Sequence, residues 1–241
     1  GRGGSFFRSN GKGVGYDFGA SVAARDLSLS YRESTAQSDN YSAAKAFKRS
    51  GPAAPLRGWL DGDEVGSSAY DGTTNRDIDL AVRRDDHLLQ LKLGRQIVGF
   101  EGFPNQRMDM TSNENNLANL GYTGTFSWGE LEARAFGQNT RHEMNMGPDR
   151  FFYGFGMPMD SKAETRGAQG KGSIEVSDRD TLRVGGDSLA YRLDDWWSPV
   201  GSSGSMCCND FWNVRNGQQD RFGIYGEWEA SWSPEWTSLL G

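Results

Sequence analysis

The stretch RFGIYGEWEASW, residues 221–232, decides how this chain is read. Phe222, Ile224, Gly226, Trp228, Ala230 and Trp232 fall on one parity, and Arg221, Gly223, Tyr225, Glu227, Glu229 and Ser231 on the other. Successive side chains of a strand point to opposite faces, so this period of two describes a β-strand with one apolar and one mostly polar face. Its twelve residues exceed the ~5–6 usual for strands of soluble proteins. They match the ~9–11 with which a tilted strand crosses a bilayer.

The period recurs along the chain. Tyr16, Phe18, Ala20, Val22 and Ala24 alternate with smaller or polar residues. Leu27, Leu29 and Tyr31 oppose Ser28, Ser30 and Arg32, and Ile78, Leu80 and Val82 oppose Asp77, Asp79 and Arg83. Leu89, Leu91 and Leu93 form a further row, as do Leu120, Tyr122, Gly124 and Phe126, while Leu182 and Val184 begin another strand. Leu131, Ala133 and Ala135 oppose Glu132, Arg134 and, against the pattern, Phe136. Short connections at 24–26, 84–86, 127–129, 177–179 and 233–235 alternate with long Gly-, Pro- and polar-rich ones at 38–64, 97–115, 143–162 and 195–217. Short turns on one rim and long loops on the other are the pattern of an outer-membrane barrel. The expected fold is therefore all-β, an antiparallel transmembrane β-barrel portion of roughly nine or ten strands. A water-soluble β-sandwich also alternates, with shorter strands, and is the competing architecture.

Composition agrees. The chain has 241 residues, 33 of them glycine, with 12% aromatics. Its mean hydropathy is only −0.69, as expected when each strand has one wet face. No run approaches the ~20 apolar residues of a membrane helix, and the polar opening GRGGSFFRSNGKG is no signal peptide. Without a starting Met, this reads as a mature or truncated chain. The net charge of −6 argues against nucleic acid as a partner.

Soft metal ligands stand out. Six of the seven methionines form M-x-M pairs: Met108 and Met110, Met144 and Met146, Met157 and Met159. His142, one of only two histidines, adjoins the middle pair in RHEMNM. Thioether and imidazole together favour copper, Cu(I) above all, whereas single methionines commonly fill gaps in a core. Pro158 and the nearby Gly147, Gly154 and Gly156 place the cluster in a loop. His142, Met144, Met146, Met157 and Met159 are the candidate metal ligands; Met108, Met110, Met206, Cys207 and Cys208 are weaker candidates. The adjacent Cys207 and Cys208 leave three states open: a vicinal disulfide, free thiols or metal ligands. The long loops share one rim, so all these residues could converge at one mouth, with His142 and Met144 on the polar parity of Glu132 and Arg134.

Other chemistry finds little support. Glu227 and Glu229 alternate as charges lining a wet lumen do, not as a glycosidase pair. The segment 11–15, GKGVG, lacks P-loop spacing. Two histidines, His87 and His142, exclude a three-His zinc site. The chain is therefore expected not to be an enzyme. Trp128, Trp196, Trp197 and Trp236 near strand ends suit an interfacial aromatic girdle.

Residues 93–113 (LGRQIVGFEGFPNQRMDMTSN), 120–146 (LGYTGTFSWGELEARAFGQNTRHEMNM), 157–172 (MPMDSKAETRGAQGKG) and 213–241 resemble TonB-dependent outer-membrane receptors of the copper-receptor type. The resemblance implies a barrel of about 22 strands plugged by an N-terminal domain, and energy supplied through TonB. In the copper type a His-x-Met pair on the barrel works with sulfur ligands from the plug, and His142-Glu143-Met144 matches that pair. No plug, TonB-binding box or closing strand is visible, and open sheet edges are not tolerated in lipid. Residues 1–241 are thus expected to form a partial β-barrel domain, the first barrel half, with the plug domain absent. Its expected partners are outer-membrane lipid, the remaining barrel strands, and TonB through a plug that these residues do not include. The expected function is uptake of copper, bound as substrate, or of a copper chelate across the bacterial outer membrane. The alternatives are an iron-chelate (siderophore) receptor and a soluble β-sandwich binding module.

Overall fold

The computed structural model describes residues 1–52, 59–147, 149, 156–203 and 207–241. These form β1 (Arg2–Arg8), β2 (Gly13–Ala23), β3 (Leu27–Ser38), β4 (Gly51–Pro52), β5 (Trp59–Leu60), β6 (Tyr70–Arg84) and β7 (His87–Val98). They continue with β8 (Phe100–Glu101), β9 (Asp109–Phe126), β10 (Gly129–Asn145), β11 (Met159–Glu175), β12 (Asp180–Trp197), β13 (Phe211–Ser233) and β14 (Trp236–Leu240). One sheet runs β1-β2-β3-β6-β7-β9-β10-β11-β12-β13-β14, with β8 beside β6 and β9; β4 and β5 pair separately. Neighbours along the sheet follow one another in the chain except where β4, β5 and β8 intervene, and every described pairing is antiparallel. The fold is the expected antiparallel meander. Nine of its strands have eleven residues or more, and the shorter β1 and β14 lie at the two edges. Among the described residues there is no α-helix, and no helix is long and apolar enough to cross a membrane.

The register turns the period of two into a continuous apolar face, because opposed residues of antiparallel strands share a face. One row reads Leu27, Val82, Leu89, Tyr122, Ala133, Gly170, Gly186 and Ile224. This face is open: Ile224 is 78% exposed and Phe222 76%. Below it, at the short turns, aromatics gather. Phe126 stacks on Trp128 at 5.2 Å, Trp228 meets Trp232 edge-on, and the Trp228 indole N–H donates to Asp180 at 3.0 Å. Above it the same face turns polar in a single step, with Glu33, Arg76, Arg95, Asn116, Asn139, Glu164 and Arg192 forming one row. On β9 the apolar band runs from Ala118 to Phe126. At about 3.3 Å per residue and a tilt of about 40°, that spans roughly 20 Å, close to the ~25 Å apolar band of outer-membrane barrels.

The other face is polar and laced with charge pairs. Arg183 donates to Glu227 and Glu229 at 2.8 and 2.7 Å, and Lys171 pairs with Glu132 at 2.6 Å. Glu227 and Glu229 thus lie opposite in parity to Trp228, as the alternation requires. Phe136, an apparent exception, stands directly across from Gly167, where an added Cβ would run into the Phe136 ring. Tyr225 stands over Gly185 in the same way. Each misplaced aromatic covers the bare backbone of an opposing glycine.

Three of the four long loops are shorter than the sequence suggests, while the first, carrying β4 and β5, runs on to β6 at Tyr70. β9 starts at Asp109, β10 runs through Asn145 and β11 begins at Met159. Met110, Met144 and Met159 are therefore strand residues and not loop residues. Most of the buried side chains lie at this rim: Leu60, Val98, Met110, Ser38, Ser67 and Asp109.

Candidate soft-metal site

His142 and Met144 lie on the polar face of β10, at its loop end. Met144 is directly opposite Met159 on β11 and, on its other side, opposite Met110 on β9. Directly paired residues have Cβ atoms about 5 Å apart, so three thioethers form one cross-strand row. The row exists because of a β-bulge. Glu143 pairs with Ser112 but Met144 pairs with Met110, so Thr111 is the extra residue on β9. Without it Thr111 would face Met144. Bulges that re-aim side chains are common beside functional sites.

His142 occupies the next row, between Asn113 on β9 and Ser161 on β11, with Asp195 beyond Ser161 on β12. Its Nδ1 is 3.2 Å from Asn113 Oδ1. With that carbonyl oxygen as acceptor, Nδ1 carries the proton and Nε2 keeps its lone pair for a metal.

Met146 and Met157 flank the row at the neck of the β10–β11 loop. Asn145 Oδ1 accepts both of their backbone N–H groups, at 2.7 and 2.8 Å. Gly156, at φ 86°, lets the chain pass close to this clamp, since a Cβ there would lie 2.7 Å from Asn145 Oδ1. All five candidate ligands from the sequence thus meet at one hairpin end. Met110, a weaker candidate by sequence, stands directly in the row and is buried. Met108 precedes β9 and is half-buried. Met206 lies outside the described residues. Cys207 and Cys208 are bonded to each other as a vicinal disulfide in the β12–β13 loop; in that form neither sulfur is a thiolate donor. Among the described residues no three His, Cys, Asp or Glu side chains converge as a metal-binding group. The register instead brings Met110, Met144 and Met159 into one cross-strand row with His142 in the next, and thioether with imidazole is a donor set suited to Cu(I).

Sequence reading missed the supports behind this row, Asn113, Asn145 and Asp109. Asp109 is fully buried. Its Oδ1 accepts the Phe103 N–H at 2.9 Å and its Oδ2 the Ser67 hydroxyl at 2.8 Å. Gly147 leaves it room, since a Cβ there would collide with Asp109 Oδ2. Nearby, Asp149 accepts from Asn40 and from the Ser67 N–H, at 2.8 and 2.7 Å. One buried carboxylate and its neighbours therefore knit three loops behind Met110. Asp109→Ala strands one buried and one part-buried donor, which costs about 2–4 kcal/mol. The expected result is rapid amide exchange in residues 99–108 while the β12–β13 strands stay protected. Unchanged exchange in that loop would show that Asp109 does not hold the rim together.

No family model matches the chain, and no curated protein matches it. Its fold does match solved structures. The copper transporter OprC aligns at a TM-score of 0.65 and 16% identity over 91% of this chain and 32% of OprC. The FrpB iron transporter of Neisseria meningitidis aligns at 0.64 and 15% over 95% of this chain and 37% of FrpB. The ferric yersiniabactin uptake receptor FyuA of Yersinia pestis aligns at 0.56 and 14% over 93% and 36%. The chain spans about a third of the length of these proteins. Its antiparallel strands have the fold of part of an outer-membrane transporter barrel.

Proposed function

We propose that this chain is barrel wall of a TonB-dependent outer-membrane receptor that takes up copper or a copper chelate. The apolar face meets outer-membrane lipid, the polar face lines the lumen, and the long-loop rim faces outside. Both sheet edges pair with further barrel strands, and TonB acts through a plug. The observation that carries the copper reading is the row Met110–Met144–Met159 with His142 beside it, all on the polar face.

In this reading thioethers at the mouth take up Cu(I) without competing for the harder Zn²⁺ or Fe³⁺. His142 Nε2 adds a stronger nitrogen donor, held in orientation by Asn113. Met146 and Met157 present further thioethers at the loop neck. The ligand set is weak enough, and open enough on one side, for the ion to move on to sulfur donors in a plug.

The second reading, an iron-chelate receptor, is favoured by the likeness to FrpB and FyuA. It has no use for a methionine row. Accumulation of radiocopper, and of radio-iron supplied as a ferric chelate, by cells making the full-length protein separates the two. Copper uptake that falls to background in His142→Ala with Met144→Ala, with iron uptake absent throughout, is expected. Iron uptake unaffected by those substitutions would establish the second reading instead.

A further inference from the structure

The methionine row does not stop at Met159. Trp197 on β12 is directly opposite Met159, and Phe211 on β13 is directly opposite Trp197. Met110, Met144, Met159, Trp197 and Phe211 therefore form one row across five strands, on the polar face. Because β12 runs in unbroken register with β11, Trp196 belongs to the other face. Trp196 packs on Trp212 at 5.4 Å, with Lys162 Nζ 5.5 Å from its ring centre, on the parity of Leu182 and Val184. Of these two adjacent tryptophans, both expected in an aromatic girdle, only Trp196 is on the girdle side. Trp197 is half-buried and shares the face of Arg183 and Asp187. Phe136 and Tyr225 on that face cover opposing glycines. Trp197 stands between a methionine and a phenylalanine, so no bare backbone accounts for it.

We infer that Trp197 lays its indole against Cu(I) held by the methionine row and His142, as a cation–π partner on the β12 side of the site. This rests on the copper reading and deepens it. Neighbouring strands lie about 4.8 Å apart, so an ion between Met144 and Met159 is roughly 7 Å from β12. A tryptophan side chain spans that gap. Indole is the strongest aromatic face for a cation, and it brings no hard donor atom. A π face on the β12 side keeps water and oxygen donors off that flank of the ion, while the lumen side stays open for release. Cu(II) favours square-planar or tetragonal nitrogen and oxygen donors, so this cover favours Cu(I) and slows its oxidation. A methionine sulfur against an aromatic ring is also an ordinary packing contact. The two roles differ in what copper loading does to the indole.

The test uses the full-length receptor in detergent, loaded with Cu(I) without oxygen, with heat-modifiable gel mobility reporting a folded barrel. Three quantities are read: Cu(I) affinity by chelator competition, the ultraviolet absorption difference on loading, and the rate at which air produces the Cu(II) electron paramagnetic resonance signal. Trp197→Leu is expected to weaken Cu(I) binding about tenfold, which a partly desolvated cation–π contact accounts for, and to speed oxidation. Trp197→Phe, with a weaker π face, is expected to fall between. An indole difference band is expected in wild type and absent in both variants. Unchanged affinity and oxidation rate in Trp197→Leu, with binding still lost in His142→Ala plus Met144→Leu, overturns the role of Trp197 and leaves the copper reading intact. Cu(I) binding that ignores that double substitution overturns both. If Trp197→Leu does not fold, wild type and Trp197→Phe decide: loading wild type without an indole difference band, or a band unchanged in Trp197→Phe, overturns the inference.

Discussion

Ile224→Arg is expected to prevent stable insertion of the full-length barrel. Ile224 is 78% exposed within the sheet and lies midway between Phe222 and Gly226 on the apolar face. An apolar side chain left that open needs an apolar cover, which in the proposed barrel is lipid. Arginine on a lipid face near the bilayer midplane costs about 2–4 kcal/mol, which is much of the ~5–15 kcal/mol that holds a typical domain folded. Gln169→Arg is the matched control. Gln169 belongs to the polar face of β11, opposite Arg134 and Asp187, where a surface change is expected to stay within about 0.5 kcal/mol. Urea unfolding from liposomes, read by heat-modifiable mobility, should separate the two variants. Equal stability of Ile224→Arg and wild type would mean that this face does not meet lipid.

How much of this is legible in the sequence follows the edge of the apolar band. Between Ala118 and Phe126, or Leu182 and Val184, one face takes an apolar residue or glycine at every second position, and the alternation is plain. Beyond the band both faces are wet. Arg141 and Glu143 on one side of β10 alternate with Thr140 and His142 on the other, so the period vanishes although the strand continues to Asn145. For that reason the segments 109–115 and 143–145 read as loop, and β11, whose loop half is Met159–Arg166, does not read as a strand. β1, with RGGSFFR, has no alternation at all, and only its pairing with β2 reveals it.

The site is legible in kind more than in arrangement. M-x-M spacing and one neighbouring histidine suffice to single out His142, Met144, Met146, Met157 and Met159. That Met110 faces Met144 depends on the bulge at Thr111, and a bulge is a matter of register between two strands, which local composition does not encode. The vicinal disulfide is one of three states that adjacency alone leaves open. Asn113 and Asn145 carry no signal, since asparagine is ordinary at wet strand ends and turns.

The central claim is that His142 and Met144 bind Cu(I) with Met159 and Met110 as row partners. Met→Leu removes the thioether while nearly conserving volume, so loss of binding reports on sulfur and not on packing. The direct measurement is Cu(I) affinity of the full-length receptor, by competition with a chromophoric Cu(I) chelator. Wild type is compared with His142→Ala plus Met144→Leu, and with Met110→Leu. The double variant is predicted to lose about 100-fold in Kd, roughly 2.8 kcal/mol, and Met110→Leu a smaller but measurable amount. Unchanged Cu(I) affinity in the double variant would contradict the account and leave the methionines as packing at the rim.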